Sequence, residues 1–166
     1  MFQINELAAT SAVQRVTFKN FYVDLKLSGS FMLCFNSYFV NFEKIRVMNV
    51  HSSEYGFKIV NGFNVTFRNV YVTGSSSNDP TISKNHAKGI IYTIDDTATI
   101  PGITNVTNVD FEDCLIQRVE YGLWLKREGT TGAFDTTTIR NIGFSSCDKA
   151  VVAESSIVNM VDINTI

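Results

Sequence analysis

The stretch Val65-Thr66-Phe67-Arg68-Asn69-Val70 decides the fold class of this chain, because it recurs along the sequence. Its apolar residues alternate with polar ones, as in a strand with one buried face, and an Asn precedes the final apolar residue. Three close copies and two weaker ones have Asn or Asp at the fifth position: Val16–Phe21, Ile45–Val50, Val109–Cys114, Thr137–Ile142 and Ser155–Met160. Strand units that repeat every 20 to 30 residues or so are typical of a solenoid in which each turn stacks on the next.

A second apolar run follows each of the first five copies and opens with glycine or alanine. These runs are Gly29–Leu33, Gly56–Ile59, Gly89–Tyr92, Gly122–Leu125 and Ala150–Ala153. Each turn of the expected solenoid therefore holds at least two strands. The interval between Asn69 and Gly89 is longer than the others and contains Thr73–Pro80, so we expect a surface loop inserted on the flank.

The aligned copies predict three interior stacks, because alternate side chains of a strand face opposite sides. The expected members are Phe18, Val47, Phe67, Phe111, Ile139 and Ile157 in the first stack, Val16, Ile45, Val65 and Val109 in the second, and Phe21, Val50, Val70 and Cys114 in the third. The Asn or Asp marks the place where the strand turns, because this residue type tolerates left-handed backbone.

One outward column reads Lys19, Met48, Arg68, Glu112, Arg140 and Val158. The alternating signs of Arg68, Glu112 and Arg140 on successive turns predict cross-strand ion pairs with a structural role.

Composition supports an all-β chain and excludes several classes of protein. Of the 166 residues 45% are hydrophobic, which is enough for one continuous core, and 13 Phe and 6 Tyr accompany only 2 Pro. The net charge of -2 gives no electrostatic basis for nucleic-acid binding, and no apolar run approaches the roughly 18 residues of a membrane span. The three cysteines lack metal-ligand spacing, so we expect free thiols, with Cys114 buried.

These patterns resemble the right-handed parallel β-helix of the pectate-lyase-like superfamily, a kind of fold that phage tailspikes and tail-fibre depolymerases share. The resemblance rests on the stacked apolar residues, the asparagine column and the flank insertion, and it covers about residues 13–166. It implies an all-β, single-stranded solenoid of about six coils. The length of the chain predicts that residues 1–166 form one domain. The resemblance also implies parallel homotrimers. Because Ile157–Ile166 continues the repeat without a capping segment, we expect this domain to be part of a larger chain.

The candidate catalytic residues lie two positions before each glycine or alanine. This outward column reads Leu27, Glu54, Ala87, Glu120 and Asp148. With strands about 4.8 Å apart, Glu120 would be one spacing from Asp148 and two from Glu54. Glycoside hydrolases use carboxyl pairs about 5 Å apart, or about 6.5 to 9.5 Å apart, so either pair has a suitable separation. We expect Glu120 as the proton donor with Asp148 or Glu54 as its partner; the alternative is that these acids are simply solvated.

The single tryptophan is the candidate for sugar binding. If its apolar neighbours face inward, the indole of Trp124 faces outward on the strand that follows Glu120, where a sugar ring can stack on it. We expect Tyr121, Lys126 and Arg127 to complete this face, with the two basic residues available to an acidic sugar. The alternative is that a flank loop or a neighbouring subunit covers the indole.

These features predict a phage tailspike-like receptor-binding protein that binds bacterial surface polysaccharide, and they leave open whether it also hydrolyses that polysaccharide. Its expected location is the virion tail, since the N-terminal sequence lacks the basic and then apolar order of a signal peptide. One alternative is a secreted polysaccharide lyase, and another is a non-catalytic structural shaft. Neither a metal nor another cofactor is expected, and neither is nucleic-acid binding or membrane insertion. Fold alone does not define function.

Overall fold

The computed structural model describes residues 2–4, 13–26, 29–74, 86–95, 105–128, 133–154 and 161–164. Within these ranges the chain forms 13 strands and no helix, so none of the described residues belongs to a helix able to cross a membrane. The strands are β1 (Phe2–Ile4), β2 (Val13–Gln14), β3 (Thr17–Asp24), β4 (Met32–Val50), β5 (Tyr55–Gly74), β6 (Lys88–Asp95), β7 (Asn105–Glu112), β8 (Leu115–Gln117), β9 (Tyr121–Glu128), β10 (Ala133–Arg140), β11 (Gly143–Ser145), β12 (Lys149–Ala153) and β13 (Val161–Asn164). The prediction of an all-β chain is confirmed.

All described strands belong to one parallel sheet that is not closed into a barrel. Its main path runs β12-β9-β6-β5-β7-β10-β13. Strand β4 lies beside β5 and pairs on its other side with β1, β2 and β3, while β8 pairs with β5 and β11. Register partners are 24 residues apart in sequence between β3 and β4, 25 apart between β4 and β5, and 44 apart between β5 and β7. The longer step includes the predicted insertion, of which residues 75–80 lie outside the described ranges.

Left-handed residues recur at equivalent positions of successive strands. One set, which we call the Asn column, has φ between 50° and 62° and consists of Asn20, Lys44, Asn69, Asp113 and Asn141. A second set has φ between 51° and 55° and consists of Arg15, Phe39, Asn64, Asn108 and Thr136. Because an isolated left-handed residue redirects an extended chain, these columns mark shared bends. The predicted turning role of the Asn or Asp position is therefore confirmed where the described residues include it.

The core is built around a Phe ladder, formed by Phe18, Phe42, Phe67, Phe111 and Ile139 on successive strands. The ring centroid of Phe67 lies 4.8 Å from that of Phe42 and 5.1 Å from that of Phe111, with the planes nearly parallel. These three rings have no exposed surface. Cys114 is buried and free near this core, as predicted, and burial raises the pKa of its thiol to about 11.

The predicted first stack is wrong in its second member. Phe42, not Val47, lies beside Phe67. The reason is that Lys44 takes the left-handed conformation that asparagine takes in most other strands. A search for Asn or Asp therefore finds Asn49, which is also left-handed but lies at a different bend.

The same misalignment of β4 makes the predictions for the other two stacks wrong in part. Val40 rather than Ile45 pairs with Val65, and Ile45 rather than Val50 pairs with Val70. Ile163 pairs with Ile139, in the place predicted for Ile157, which lies outside the described ranges. Phe21 was expected inside but is 46% exposed.

The outward charged column is more regular than predicted. Glu43 takes the place expected for Met48, so the column reads Lys19, Glu43, Arg68, Glu112 and Arg140, with signs alternating throughout. Arg68 Nε donates a hydrogen bond to Glu112 Oε2 at 2.7 Å, which confirms the predicted ion pair.

The small residues that open the second apolar run also share one position across the sheet. They are Gly56, Gly89, Gly122 and Ala150. The prediction that Gly29 belongs to this set is wrong, because Met32 pairs with Phe57 and Phe31 therefore lies opposite Gly56. A Cβ on Gly56 would lie 2.7 Å from the carbonyl oxygen of Gly89, and a Cβ on Gly89 or Gly122 would lie 2.5 Å from the next carbonyl oxygen. Glycine is therefore required by the close approach of the backbones.

Candidate functional site

The column of candidate catalytic residues, which we call the acidic column, has four described members, and these occupy equivalent positions of the sheet. The amide of Lys88 donates to the Glu54 carbonyl, that of Glu120 to the Ala87 carbonyl, and that of Lys149 to the Glu120 carbonyl, each at 2.8 Å. The register thus aligns Glu54, Ala87, Glu120 and Asp148 as the repeat predicted, while Leu27 lies outside the described ranges.

The carboxyl groups of this column have different surroundings. Glu54 Oε2 accepts a hydrogen bond from Ser30 Oγ at 2.5 Å, and Asp148 is exposed. Glu120 Oε2 lies 2.8 Å from His86 Nδ1, and only 20% of its side chain is exposed. Ala87 is buried in the core, so the column lies at a bend and does not point uniformly outward. The contact with His86 was not predicted.

Trp124 lies on the side of β9 opposite to Leu123 and Leu125, which have no exposed surface. The alternation used in the sequence analysis is therefore observed. The rings of Tyr121 and Trp124 stack at a centroid distance of 4.5 Å and an interplanar angle of 16°. Trp124 Nε1 is buried and has no hydrogen-bond partner among the described residues, and the indole as a whole is only partly exposed. The indole therefore has less exposed ring surface on which a sugar could stack than a fully exposed tryptophan would have.

The basic residues predicted beside Trp124 already have partners in the protein. Lys126 Nζ lies 5.1 Å from the centroid of the Trp124 ring and 2.6 Å from Glu128 Oε1. Lys58 Nζ approaches the same Glu128 oxygen at 3.5 Å. Burial alone would raise the pKa of Glu128, but the hydrogen bond from Lys126 and the charges of Lys58 and Lys126 outweigh it and lower the pKa. The backbone amide of Arg127 donates to Glu154 Oε2 at 2.9 Å.

We expect this cluster to make stability depend on pH in the acid range. A lowered folded-state pKa means that the contribution of Glu128 is complete above the unfolded value of 4.5 and is lost as the pH falls through the folded value. Glu128→Gln should lower the free energy of unfolding at pH 7 by about 0.5 kcal/mol and flatten its decline below about pH 4.5. Urea unfolding across this range measures both effects. High salt should shrink the difference between the two proteins, and superimposable pH profiles would contradict the assignment.

A second candidate surface, which the sequence analysis did not identify, is a groove of about 520 Å³ along the Asn column. We call it the Asn-column groove. Its floor carries one residue from each of four adjacent strands, in the order Tyr22, Arg46, Tyr71 and Leu115. Adjacent members are therefore about 4.8 Å apart along the sheet.

Most of the exposed large apolar side chains in the described part of the chain lie in this groove. Four large apolar side chains are exposed in the described ranges, and Tyr22 (67%), Phe21 (46%) and Leu115 (37%) line this groove. Exposed apolar side chains that gather in one concave surface are typical of a binding site, whereas single scattered ones are not.

Polar groups in the same groove are available to a ligand. The side-chain amides of Asn20 and Asn69 are exposed and have no hydrogen-bond partner within the described part of the chain. The Arg46 guanidinium lies 5.5 Å from the centroid of the Tyr71 ring, and Tyr71 Oη donates to Gln117 Oε1 at 2.8 Å. Apolar rings and unused hydrogen-bonding groups thus occur side by side.

No family model matches this chain, and the comparisons with curated proteins and with solved structures find no significant match.

Proposed function

We propose that this chain is a polysaccharide-binding protein of the tailspike-like kind, which attaches a phage tail to bacterial surface polysaccharide. The Asn-column groove carries this proposal, because it combines exposed aromatic rings with unused amides. Sugar rings present apolar faces that stack on tyrosine and hydroxyl groups that hydrogen-bond to amides. Tyr22 and Tyr71 are two strand spacings apart, or about 9.6 Å, so one oligosaccharide can contact both.

The fold that we propose is a right-handed parallel β-helix of about six coils, of the pectate-lyase-like kind. Parallel pairing throughout the described strands supports it, as do sequence steps of 24, 25 and 28 residues between equivalent positions. The two columns of left-handed residues supply bends at the same places on successive strands.

We also propose that the protein forms a homotrimer on the virion tail. Light scattering on the purified chain would measure the mass of the assembly and so test the trimer.

The binding proposal predicts a specific loss in the variant Tyr22→Ala. Removing this exposed ring should weaken binding to a bacterial surface polysaccharide by about 1 to 3 kcal/mol, because it deletes a stacking surface and little of the core. A glycan array identifies the polysaccharide, and isothermal titration calorimetry then measures the affinity of both proteins.

Phe39→Ala is the matched control for this experiment. Phe39 is 45% exposed, like the groove residues, but it lies at the other bend and outside the groove. Its removal should leave the affinity unchanged. Unaltered binding by Tyr22→Ala would refute the groove assignment. If Trp124→Ala alone weakens binding, the site lies instead at the predicted face of Tyr121, Trp124, Lys126 and Arg127.

Hydrolysis of the bound polysaccharide is a second proposal, favoured by the contact of Glu120 with His86 and by the equivalent position of Asp148, which directly precedes β12. Release of reducing ends without added metal, and its loss in Glu120→Gln at unchanged melting temperature, would support it. Calcium-dependent formation of unsaturated ends would favour a secreted lyase. A protein that neither binds nor cleaves polysaccharide would be a structural shaft.

A further inference from the structure

We propose that the polysaccharide bound in the Asn-column groove is acidic and that Arg46 binds its carboxylate groups. This inference rests on the proposed function, because it names the class of glycan for the same groove.

Arg46 holds the central position among the groove residues. It pairs in register with Tyr22 on β3 and with Tyr71 on β5, so it lies one strand spacing from each. An oligosaccharide that stacks on Tyr22 and reaches the edge of Tyr71 would pass over the guanidinium between them. The exposed Arg46 guanidinium would then contact the polar substituents of the glycan. The flanking tyrosine rings would contact the apolar faces of the sugars.

The guanidinium of Arg46 is held by an aromatic ring and has no carboxylate partner within the described ranges. It lies 5.5 Å from the centroid of Tyr71. By contrast, Arg68 donates to Glu112 at 2.7 Å, and Lys126 lies 2.6 Å from Glu128. A guanidinium that stacks on a ring keeps its planar set of donors free, and that set matches both oxygens of a carboxylate.

The other charged groups of the groove leave it with a positive balance. Asp113 Oδ1 accepts a hydrogen bond from Asn141 Nδ2 at 2.6 Å, so one of its oxygens is already engaged. Lys44 is exposed and lies 3.7 Å from Glu43, the length of a weak surface ion pair. Two cations and one partly engaged carboxylate therefore line the groove. Such a surface attracts an anionic chain of sugars.

Single-stranded nucleic acid also combines flat rings with anionic groups, but the protein suits it less well. Nucleic-acid binding depends on many phosphate contacts made by clustered basic residues. Among the described residues the groove offers only Lys44 and Arg46 as cations, and the net charge of the whole chain is -2. A glycan with spaced carboxylates needs fewer cations.

The test uses the full chain and an array of bacterial capsular polysaccharides, each presented in its native form and after chemical reduction of its uronic acid carboxyl groups. The unaltered protein should bind at least one native acidic polysaccharide about tenfold more tightly than its reduced form, because a hydrogen bond to a charged group is worth more than one to a neutral group. Arg46→Gln should abolish this preference and retain binding to the reduced form. Arg46→Lys should restore only part of it.

Two further variants separate the inference from the proposed function. Arg140→Gln removes an exposed arginine outside the groove and should leave the preference intact. Tyr22→Ala should weaken binding to both forms by a similar factor. Equal binding of native and reduced polysaccharides by the unaltered protein, with the Tyr22→Ala loss retained, would overturn the acidic assignment alone.

Other outcomes would overturn the proposed function as well as this inference. If no polysaccharide binds, or if Tyr22→Ala has no effect, the proposed function fails and this inference fails with it. Tighter binding of a single-stranded oligonucleotide than of any polysaccharide would overturn both. Melting curves of each variant show whether a loss of binding reflects the groove or the fold.

Discussion

Replacing Phe67 with alanine should lower the free energy of unfolding by about 3 to 5 kcal/mol. The ring has no exposed surface and lies between Phe42 and Phe111, whose centroids are 4.8 Å and 5.1 Å away. Its deletion removes stacking contacts on both faces and an edge contact with Phe57 at 5.4 Å. The neighbouring rings are attached to paired strands and cannot close the cavity. Guanidinium unfolding followed by circular dichroism measures the loss.

Two comparisons make this result specific. Phe67→Leu keeps most of the apolar volume and should cost less than about 1.5 kcal/mol. Phe39→Ala removes an equally large ring that is 45% exposed, so its effect should also be smaller than that of Phe67→Ala. A loss in Phe67→Ala no greater than that in Phe39→Ala would mean that the Phe ladder is not packed as described.

Gly89→Ala should destabilise the protein by about 3 kcal/mol, although it adds a single methyl group. A Cβ at this position would lie 2.5 Å from the carbonyl oxygen of Gly122 and 2.6 Å from Cγ2 of Ile116. The first of these atoms belongs to the backbone of a paired strand, so the sheet itself must shift to relieve the contact. Thermal and denaturant unfolding of the variant should both show the loss.

Ala150 provides the matched control, because it occupies the equivalent position on β12 and already carries a Cβ. Among the described strands β12 pairs only with β9, so no carbonyl of a further described strand meets that Cβ. Ala150→Gly should therefore change stability by less than about 1 kcal/mol. A tolerated alanine at position 89 would show that β6 and β9 can separate without cost.

The sequence was enough to predict which residues are neighbours on adjacent strands wherever asparagine or aspartate marks the bend. These residue types adopt left-handed backbone more readily than others, so local preference and tertiary structure agree at Asn20, Asn69 and Asp113. Lys44 has no such preference, and pairing on both sides of β4 determines its conformation. A pattern based on local preference could not select it over Asn49.

The candidate sites show the same limit. Alternation along β9 was enough to place Trp124 opposite to Leu123, but its contact with Lys126 and the pairing of that lysine with Glu128 depend on side-chain packing. The groove was missed because the repeat alignment placed Arg46 opposite Thr66, five residues away from its true partner Tyr71.

A usable signal for the groove was nevertheless present in the sequence. An aromatic residue stands two positions after the asparagine both in Asn20-Phe21-Tyr22 and in Asn69-Val70-Tyr71. Such a repeat of aromatic residues in outward positions predicts a row of rings, and only the register of β4 adds the arginine between them.

The alternating charges on the outer face also limit how such a chain can change its length during evolution. Lys19, Glu43, Arg68, Glu112 and Arg140 change sign at every strand. Duplication or loss of a single repeat would bring two like charges into register, which destabilises a strand pair. Duplication of two repeats together would preserve the alternation. We therefore expect related chains that differ in length to differ by even numbers of repeats on this face.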